Sequence, residues 1–300
     1  VMRYTEERYI SLLTDFGFKR IFGTTPNKDL LIDFLNSLFD GEQVVKDVTF
    51  LNSEHVGDVR ADRKAIFDVY CENEKGEKFI VEMQNASQKY FKDRSLYYAT
   101  FPIREQAQKG DVWNYELKHV YVVALLNYDM TDSAFAQDTI NHDVGLLDKQ
   151  THRVFNDKLT FKYVEIAKFK KSIEELKTNY DKWIYVLQNL SRLDRQPRYL
   201  QTEVFSRLFN QAEIARFSKT ELREYEDSLK AYRDMKNSLD NAEEKGLAKG
   251  LAKGRAEGLV EGRAEGLAEG KKDKAVEIAK KLLEMDMPID AIMKATGLSQ

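Results

Sequence analysis

Two acidic residues in the middle of apolar segments are the first candidates for chemistry. Asp68 lies in the segment IFDVYC and Glu82 in the segment FIVEMQ, and polar residues around Gly76 join the two. Both segments have the composition of β-strands, so together they predict a hairpin. If its loop is the common three-residue type that ends at Gly76, with this glycine in the left-handed conformation, Asp68 lies directly opposite Glu82. Gln84 then lies on the same face, two residues further on.

Two carboxylates that face each other across a strand pair repel, so such a pair needs compensation. A divalent cation would supply it, because Mg²⁺ is commonly bound by one or two carboxylates together with water and substrate phosphate. Alternatively, both acids lie on the solvent face of an antiparallel sheet, where carboxylates are easily tolerated. A two-residue turn would shift the register by one and put Asp68 and Glu82 on opposite faces. The register therefore decides whether the two acids form a site.

Other metal-binding residue types are sparse. Cys71 is the only cysteine, and the four histidines are scattered along the chain, at His55, His119, His142 and His152. An intrachain disulfide and a cysteine-based zinc cluster are therefore excluded. A bound metal is expected to be a hard cation held by oxygen.

The order of hydrophobic patterns predicts an α/β fold. Apolar residues from Phe16 to Leu38 recur at helical spacing. Three strands, a helix with Ser87 as its N-cap, and a buried strand are expected next, at residues 44–51, 65–71, 79–84, 87–108 and 118–126. A further strand pair is expected at residues 152–156 and 159–166, and residues 172–239 have a helical pattern.

A combination of short motifs connects these elements to a known family. The motifs are DFGFKRIFG at 15–23, Asp68 in a strand, EMQ at 82–84, a tyrosine-rich helix and the strand at 120–126. This combination resembles the PD-(D/E)XK nuclease family transposases, also called the recombination-promoting nuclease family. The resemblance spans most of the chain. It implies a restriction-endonuclease-like core, ordered helix, three strands, helix and strand around a mixed central sheet, followed by a helical C-terminal region.

The resemblance also implies roles for individual residues. Asp68 would be the motif aspartate, Glu82 the acid of the E-x-K position, and Gln84 stands where many members of the wider superfamily have lysine. Without that lysine, the site lacks a cation that elsewhere helps to orient the attacking water. Asp15 and Lys19 match the family's opening motif and are further catalytic candidates, or they simply pair at i,i+4 on the helix surface.

Together these observations predict a metal-dependent DNA endonuclease that hydrolyses phosphodiester bonds. The link to recombination or mobile elements comes only with the family name. Mg²⁺ or Mn²⁺ would be held by Asp68, Glu82 and the Met83 carbonyl, and Gln84 would position water. DNA contacts are expected from basic residues of the following helix, Lys89, Lys92 and Arg94. The alternative is a DNA-binding or assembly protein that keeps the nuclease fold with negligible catalysis.

Composition argues against several other classes of protein. The 300 residues include 47 Lys and Arg against 50 Asp and Glu, a formal charge of -3, which argues against coating nucleic acid over a broad face. The longest apolar run, 120–126, is far shorter than the ~20 residues of a membrane-spanning helix, and no charged-then-apolar leader opens the chain. We therefore expect a cytoplasmic protein without membrane contact. The chain begins at Val1 and ends in GLSQ, so either end is a candidate for truncation.

The C-terminal part contains a repeat. Seven of the 15 glycines recur at every fourth residue from Gly246 to Gly270, with four basic and four acidic residues between them. Alanine and i,i+4 ion pairs favour a helix, whereas each interior glycine costs ~1 kcal/mol, so the repeat is predicted to be a marginal, solvated helix. It serves either as a semi-flexible spacer or as a self-association helix, which makes a homo-oligomer through the C-terminal helices a candidate assembly.

Four parts follow from these patterns. They are a nuclease-like core, a helical C-terminal part, the glycine-repeat spacer and a short helical cap, at residues 1–170, 171–245, 246–273 and 274–300. The cap is expected to consist of two short amphipathic helices, at residues 274–283 and 289–295.

Overall fold

The computed structural model describes residues 7–55, 65–107, 114–131 and 134–299. Within these ranges the strands are β1 (Val48–Phe50), β2 (Glu54–His55), β3 (Ala65–Ile66), β4 (Val69–Asn73), β5 (Lys78–Gln84), β6 (Val120–Leu126), β7 (Asn141–Leu147) and β8 (Val154–Val164). The helices are α1 (Asp15–Phe22), α2 (Lys28–Phe39), α3 (Phe91–Glu105), α4 (Asn179–Asn189), α5 (Glu203–Ala212), α6 (Lys219–Glu284) and α7 (Ile289–Thr296).

Six of the described strands form one mixed sheet, in the spatial order β1, β4, β5, β6, β8, β7. The pairs β1–β4, β4–β5 and β7–β8 are antiparallel, whereas β5–β6 and β6–β8 are parallel. A parallel pair needs a crossover connection, and α3 lies in the connection from β5 to β6. Strands β2 and β3 form a separate two-stranded sheet.

Helices cover both faces of the sheet. Because side chains alternate along a strand, Phe79, Val81 and Met83 of β5 lie on one face, in a core shared with α1, α2, α4 and α5. Ile80 lies on the other face, in a second core that includes Phe91 of α3. Glu82 and Gln84 follow Ile80 at two-residue spacing, so their side chains lie on the same face of the sheet as Ile80.

The hairpin between β4 and β5 has the register that the sequence predicts. Tyr70 pairs with Ile80 and Cys71 with Phe79, and the turn between the strands ends at Gly76. Gly76 has φ +77°, in the left-handed region that the three-residue loop requires. Continuing this register by one residue past β4 places Asp68 opposite Glu82.

The structure confirms the predicted fold class and corrects several element boundaries. The segment 65–71 is interrupted at Phe67 and Asp68, so Ala65–Ile66 pairs outside the main sheet. Helix α3 begins at Phe91, after a turn in which the Phe91 N–H donates to the Gln88 carbonyl at 3.1 Å, and Ser87 is not its N-cap. The helix ends at Glu105, and the predicted end at Gln108 lies outside the described residues.

The expected strand pair at 152–156 and 159–166 is wrong. Val154–Val164 form the single strand β8, which runs through both predicted segments, and its antiparallel partner is β7. Strand β7 contains Asn141, Asp143 and Gly145, residue types that strands generally avoid, and most of it is exposed. It forms because pairing with β8 satisfies its backbone, which no local pattern of apolar residues indicates.

The chain divides into two compact units at residues 234 and 235. In the second unit the glycine repeat is helical and exposed along its whole length, as part of α6. Residues 274–283 were expected to form a short helix of their own but are the C-terminal end of α6, and only α7 is a separate short helix. In the described part of the chain, no helix has both the length and the apolar character needed to span a membrane. The four-part domain division stays a prediction.

Candidate active site

The two carboxylates predicted from the hairpin are held together by the backbone. The Asp68 N–H donates to Glu82 Oε1 at 3.1 Å, and the Met83 N–H donates to Asp68 Oδ2 at 2.9 Å. Glu82 thus accepts a hydrogen bond from the segment that leads into β4, and Asp68 accepts one from β5, the strand that carries Glu82. The bend at Asp68 makes this possible, because it releases the Asp68 N–H from the sheet ladder. Both acids lie on the side of the sheet that α3 covers.

Burial makes this pair electrostatically costly. Glu82 is only 6% exposed, and Asp68 is partly buried. Desolvation and the neighbouring Asp68 carboxylate raise the pKa of Glu82 well above its ordinary value, against the opposing charges of Arg94 and Lys19. Burial likewise raises the pKa of Asp68, although the Met83 N–H and Lys19 favour its ionised form. The nearby basic side chains therefore do not fully compensate the negative charge of the two acids.

Gln84 extends the pair along β5. Its Nε2 donates to Glu82 Oε2 at 3.1 Å, and its Oε1 accepts from Arg94 Nη2 at 2.6 Å. The carbonyl of Gln84 accepts from the Asn127 N–H at 2.8 Å, which ties the end of β5 to the end of β6. The predicted site residues Asp68, Glu82, Met83 and Gln84 are thus joined by a series of hydrogen bonds.

Helix α1 brings Asp15 and Lys19 to the same place. Lys19 Nζ lies 2.8 Å from Asp15 Oδ1, so the i,i+4 ion pair that the sequence offered as an alternative to a catalytic role is present. Burial disfavours the charged amine, but the hydrogen bond to Asp15 and the charges of Asp15, Asp68 and Glu82 raise the pKa of Lys19. Lys19 therefore also interacts electrostatically with the carboxylate pair, and the two interpretations of this residue are compatible.

The start of α1 is fixed by close packing. Thr14 Oγ1 accepts from the Gly17 N–H at 3.0 Å, which caps the helix. Asn85 Nδ2, just after β5, donates to the Leu13 carbonyl at 2.7 Å and links this segment to the site strand. A Cβ atom on Gly17 would lie 2.1 Å from the Ser11 carbonyl oxygen, so only glycine fits.

Replacing Gly17 with alanine is therefore expected to lower the free energy of unfolding by about 1–3 kcal/mol, since the first turn of α1 must move to relieve the clash. Urea denaturation followed by circular dichroism measures this change. Gly254→Ala is the matched control and should not lower the stability, because no atom beyond its chain neighbours and the nearby backbone of its own helix lies within 4 Å of the added Cβ. An equal loss in both variants would contradict the packing argument.

Three basic residues were expected to contact DNA. Lys89 and Lys92 are exposed, before and within the first turn of α3. Arg94 is partly buried and donates hydrogen bonds to Gln84 and to the Gln88 side chain. The structure therefore separates Arg94 from the two lysines, and DNA contact by any of the three stays a prediction.

The donor set fits a hard divalent cation in chemistry but is small. Asp68 and Glu82 supply oxygen atoms, and their burial with like charge is the situation that a cation relieves. No group of three or more His, Cys, Asp or Glu side chains suited to a metal occurs in the described ranges. A cation at this position would thus depend on the carboxylate pair together with backbone oxygen, water or substrate phosphate.

Sequence reasoning missed two neighbours of the site, Asn85 and Tyr98. The Arg94 guanidinium lies 5.6 Å from the centre of the Tyr98 ring, and burial and the charge of Glu82 raise the pKa of Tyr98. The only signal in the sequence was the i,i+4 spacing of Arg94 and Tyr98, which puts both on one helix face. For Asn85 there was no signal beyond its position after the EMQ triplet.

A mixed sheet flanked by helices on both faces, with a carboxylate pair at a strand bend, is consistent with an α/β core of the nuclease type. The profile of one family, described as PD-(D/E)XK nuclease family transposase, matches residues 12–242. The chain belongs to this family, which implies a function related to that of nucleases, with DNA as the substrate. Comparison with curated proteins and with solved structures gives no match.

Proposed function

We propose that this protein is a divalent-metal-dependent DNA endonuclease, with Asp68 and Glu82 as the essential acids. The observation that carries the proposal is the pair of carboxylates, Glu82 buried and Asp68 partly buried, joined through the Asp68 and Met83 amides. An isolated pair of this kind is unfavourable for folding, so its presence is best explained by a cation that binds there. Mg²⁺ or Mn²⁺ would lower the pKa of a water molecule and stabilise charge at the phosphate.

The chain's own residues have separate tasks in this proposal. Asp68 and Glu82, with the Met83 carbonyl, hold the cation, and Gln84 orients water through its amide. Lys19, paired with Asp15, adds positive charge beside the acids, which favours the approach of a phosphate. Lys89 and Lys92, at the N-terminal end of α3, contact the DNA backbone, where the helix dipole also favours anions. The family name supports a role in recombination or mobile elements.

Incubation of the purified full chain with supercoiled plasmid tests this proposal. Nicked or linear DNA should form with Mg²⁺ or Mn²⁺ and not with EDTA, because the acids require the cation. Binding of DNA without any cleavage under both metals would instead support the alternative, a DNA-binding protein on a nuclease fold. The net charge of -3 is compatible with both the nuclease and this alternative, because it limits nonspecific binding to DNA in either case.

We also propose that the glycine repeat associates with a second copy of the chain in antiparallel orientation. Between Gly246 and Gly258 the charged residues are Lys249, Lys253, Arg255 and Glu257. Between Gly258 and Gly270 they are three glutamates and one arginine. An antiparallel pair puts the basic part of one helix beside the acidic part of the other. Exposed apolar residues along the repeat support burial against a partner: Leu247, Leu251, Leu259, Val260 and Leu267.

Reversing the basic part, with Lys249→Glu, Lys253→Glu and Arg255→Glu in the full chain, should lower the oligomeric state seen by light scattering. Like charges would then face each other along the antiparallel pair. Reversing Glu261, Glu265 and Glu269 to lysine in the same chain should restore the assembly, because the acidic part then becomes basic and both signs are exchanged. A wild-type chain that is monomeric, or a triple variant with unchanged assembly, would contradict this orientation.

A further inference from the structure

Arg94 is connected to the carboxylate pair by a continuous series of hydrogen bonds. Its Nη2 donates to Gln84 Oε1 at 2.6 Å, and Gln84 Nε2 donates to Glu82 Oε2 at 3.1 Å. Glu82 Oε1 in turn accepts from the Asp68 N–H. The guanidinium therefore determines which way the Gln84 amide points, since the oxygen of that amide is turned to Arg94 and its nitrogen to Glu82.

The surroundings of Arg94 hold its guanidinium toward the strand. It lies 5.4 Å from the centre of the Phe91 ring and 5.6 Å from that of Tyr98, and it also donates to the Gln88 side chain. Phe91 is buried in the core on this face of the sheet, so one side of the guanidinium rests on a fixed surface. A planar cation stacked and hydrogen-bonded in this way loses little further freedom when it acts on a neighbour.

The charge of Arg94 acts on the same two acids as the site. Its Coulombic attraction favours the ionised forms of both Asp68 and Glu82. Gln84 itself is neutral, although it stands at the position where a lysine would put a cation beside the acids. Arg94 is therefore the charge that reaches this position from α3, on the opposite side of the Gln84 amide from Glu82.

We propose that Arg94 is a positioning residue of the nuclease site: it orients the Gln84 amide and supplies, through it, the positive charge that Gln84 cannot carry. This inference rests on the proposed function and assigns Arg94 to the site, while Lys89 and Lys92 remain the candidates for DNA contact. Arginine suits this task better than lysine, because its several N–H groups bond Gln84 and Gln88 at the same time.

Kinetics of three variants test the assignment. Arg94→Met should lower kcat by about 100-fold, comparable to the loss of one preorganised donor in other enzymes, with little change in the Kd for DNA. Arg94→Lys should fall between this variant and the wild type. The matched control is Arg104→Met, which removes an exposed arginine from the same helix ~15 Å along its axis and should leave kcat unchanged.

A rescue experiment separates positioning from a structural role. The double variant Gln84→Lys, Arg94→Met puts an ammonium group directly at the E-x-K position and should recover much of the kcat that Arg94→Met loses. Adding Gln84→Lys to the wild type should raise kcat less than adding it to Arg94→Met, because in the wild type the new ammonium group lies beside the Arg94 guanidinium. A double variant as inactive as Arg94→Met alone, or an Arg94→Met variant with wild-type kcat, would overturn the proposal.

DNA binding distinguishes this role from a phosphate contact. If Arg94 contacted a phosphate, Arg94→Met would weaken DNA binding and reduce the slope of log K against log salt by about one. We expect that reduction for Lys89→Met and not for Arg94→Met. The opposite result would return Arg94 to the DNA-contacting set and overturn its assignment to the site.

Titration with Mn²⁺ alone gives a measurement that does not need activity. Removing one cation beside the acids should tighten Mn²⁺ binding a few-fold in Arg94→Met and leave it unchanged in Arg104→Met. If the wild type cleaves no DNA but this difference appears, the proposed function fails and the assignment of Arg94 survives. Equal or weaker Mn²⁺ binding in Arg94→Met would overturn the assignment whatever the activity.

Discussion

Glu82→Gln and Asp68→Asn should each abolish metal-dependent plasmid cleavage, with a loss of at least about 100-fold in rate. Either amide keeps the shape of the side chain and an oxygen that accepts the existing amide hydrogen bond, from Asp68 N–H or Met83 N–H. What it removes is one of the two negative charges that would hold the cation. Nicking of supercoiled plasmid in Mg²⁺ and in Mn²⁺, followed on agarose gels over time, measures the rate.

The melting temperature without metal shows whether the two acids are functional or structural. In EDTA, both variants should melt at the wild-type temperature or slightly above it, because each relieves a buried like-charge repulsion. With Mn²⁺ added, the wild type should gain stability and the variants should not. A large loss of stability in the metal-free variants would show that Asp68 and Glu82 maintain the fold.

Glu165→Gln is expected to cause the largest loss of stability, about 3 kcal/mol or more in the free energy of unfolding. Glu165 is 0% exposed and accepts hydrogen bonds from the Met130 N–H, His142 Nε2 and Lys168 Nζ, at 2.6, 2.8 and 2.8 Å. Lys168 is itself nearly buried, so the amide leaves its ammonium group without the opposing carboxylate, with the Ala136 and Thr139 carbonyls as partners. Urea denaturation at pH 7 measures the difference between variant and wild type.

The same pair of proteins gives a test by pH. Burial disfavours the charge of Glu165, but the bonds from Lys168, Met130 and His142 more than offset it and lower its pKa below the ordinary value. A carboxylate with a lowered folded-state pKa contributes stability that is fully present above its unfolded pKa and is lost as the pH falls through the folded one. The difference between wild type and Glu165→Gln should therefore shrink on acidification below about pH 4.5.

The control for this prediction is Asp47→Asn, which breaks the exposed ion pair with Lys28. Exposed ion pairs contribute little to stability, so the free energy of unfolding of this variant should be close to that of the wild type. If Glu165→Gln were as stable as Asp47→Asn, the cluster of Glu165, His142 and Lys168 would be dispensable for folding.

Local chemistry in the sequence was enough to predict the centre of the fold. The three-residue loop that ends at Gly76 determines the register of the β4–β5 hairpin, and with it the opposition of Asp68 and Glu82. This works because a turn of given length allows one pairing, and a slip by one residue would turn every apolar side chain to the wrong face. The helical period of residues 16–38 and the apolar run of β6 are equally local signals. Metal binding and DNA contact stay predictions.

Only the tertiary structure decided what surrounds the acids. Lys19 reaches Asp68 from 49 positions earlier in the chain, and Arg94 reaches Gln84 from the far side of a turn that delays the start of α3. The partner of β8 was likewise decided by pairing and not by composition. Periodicity reports which face of an element is apolar, but it carries no information on which distant side chain meets it. The two basic side chains that act on the carboxylate pair, Lys19 and Arg94, come from separate helices, and their positions follow from how both helices pack on the sheet.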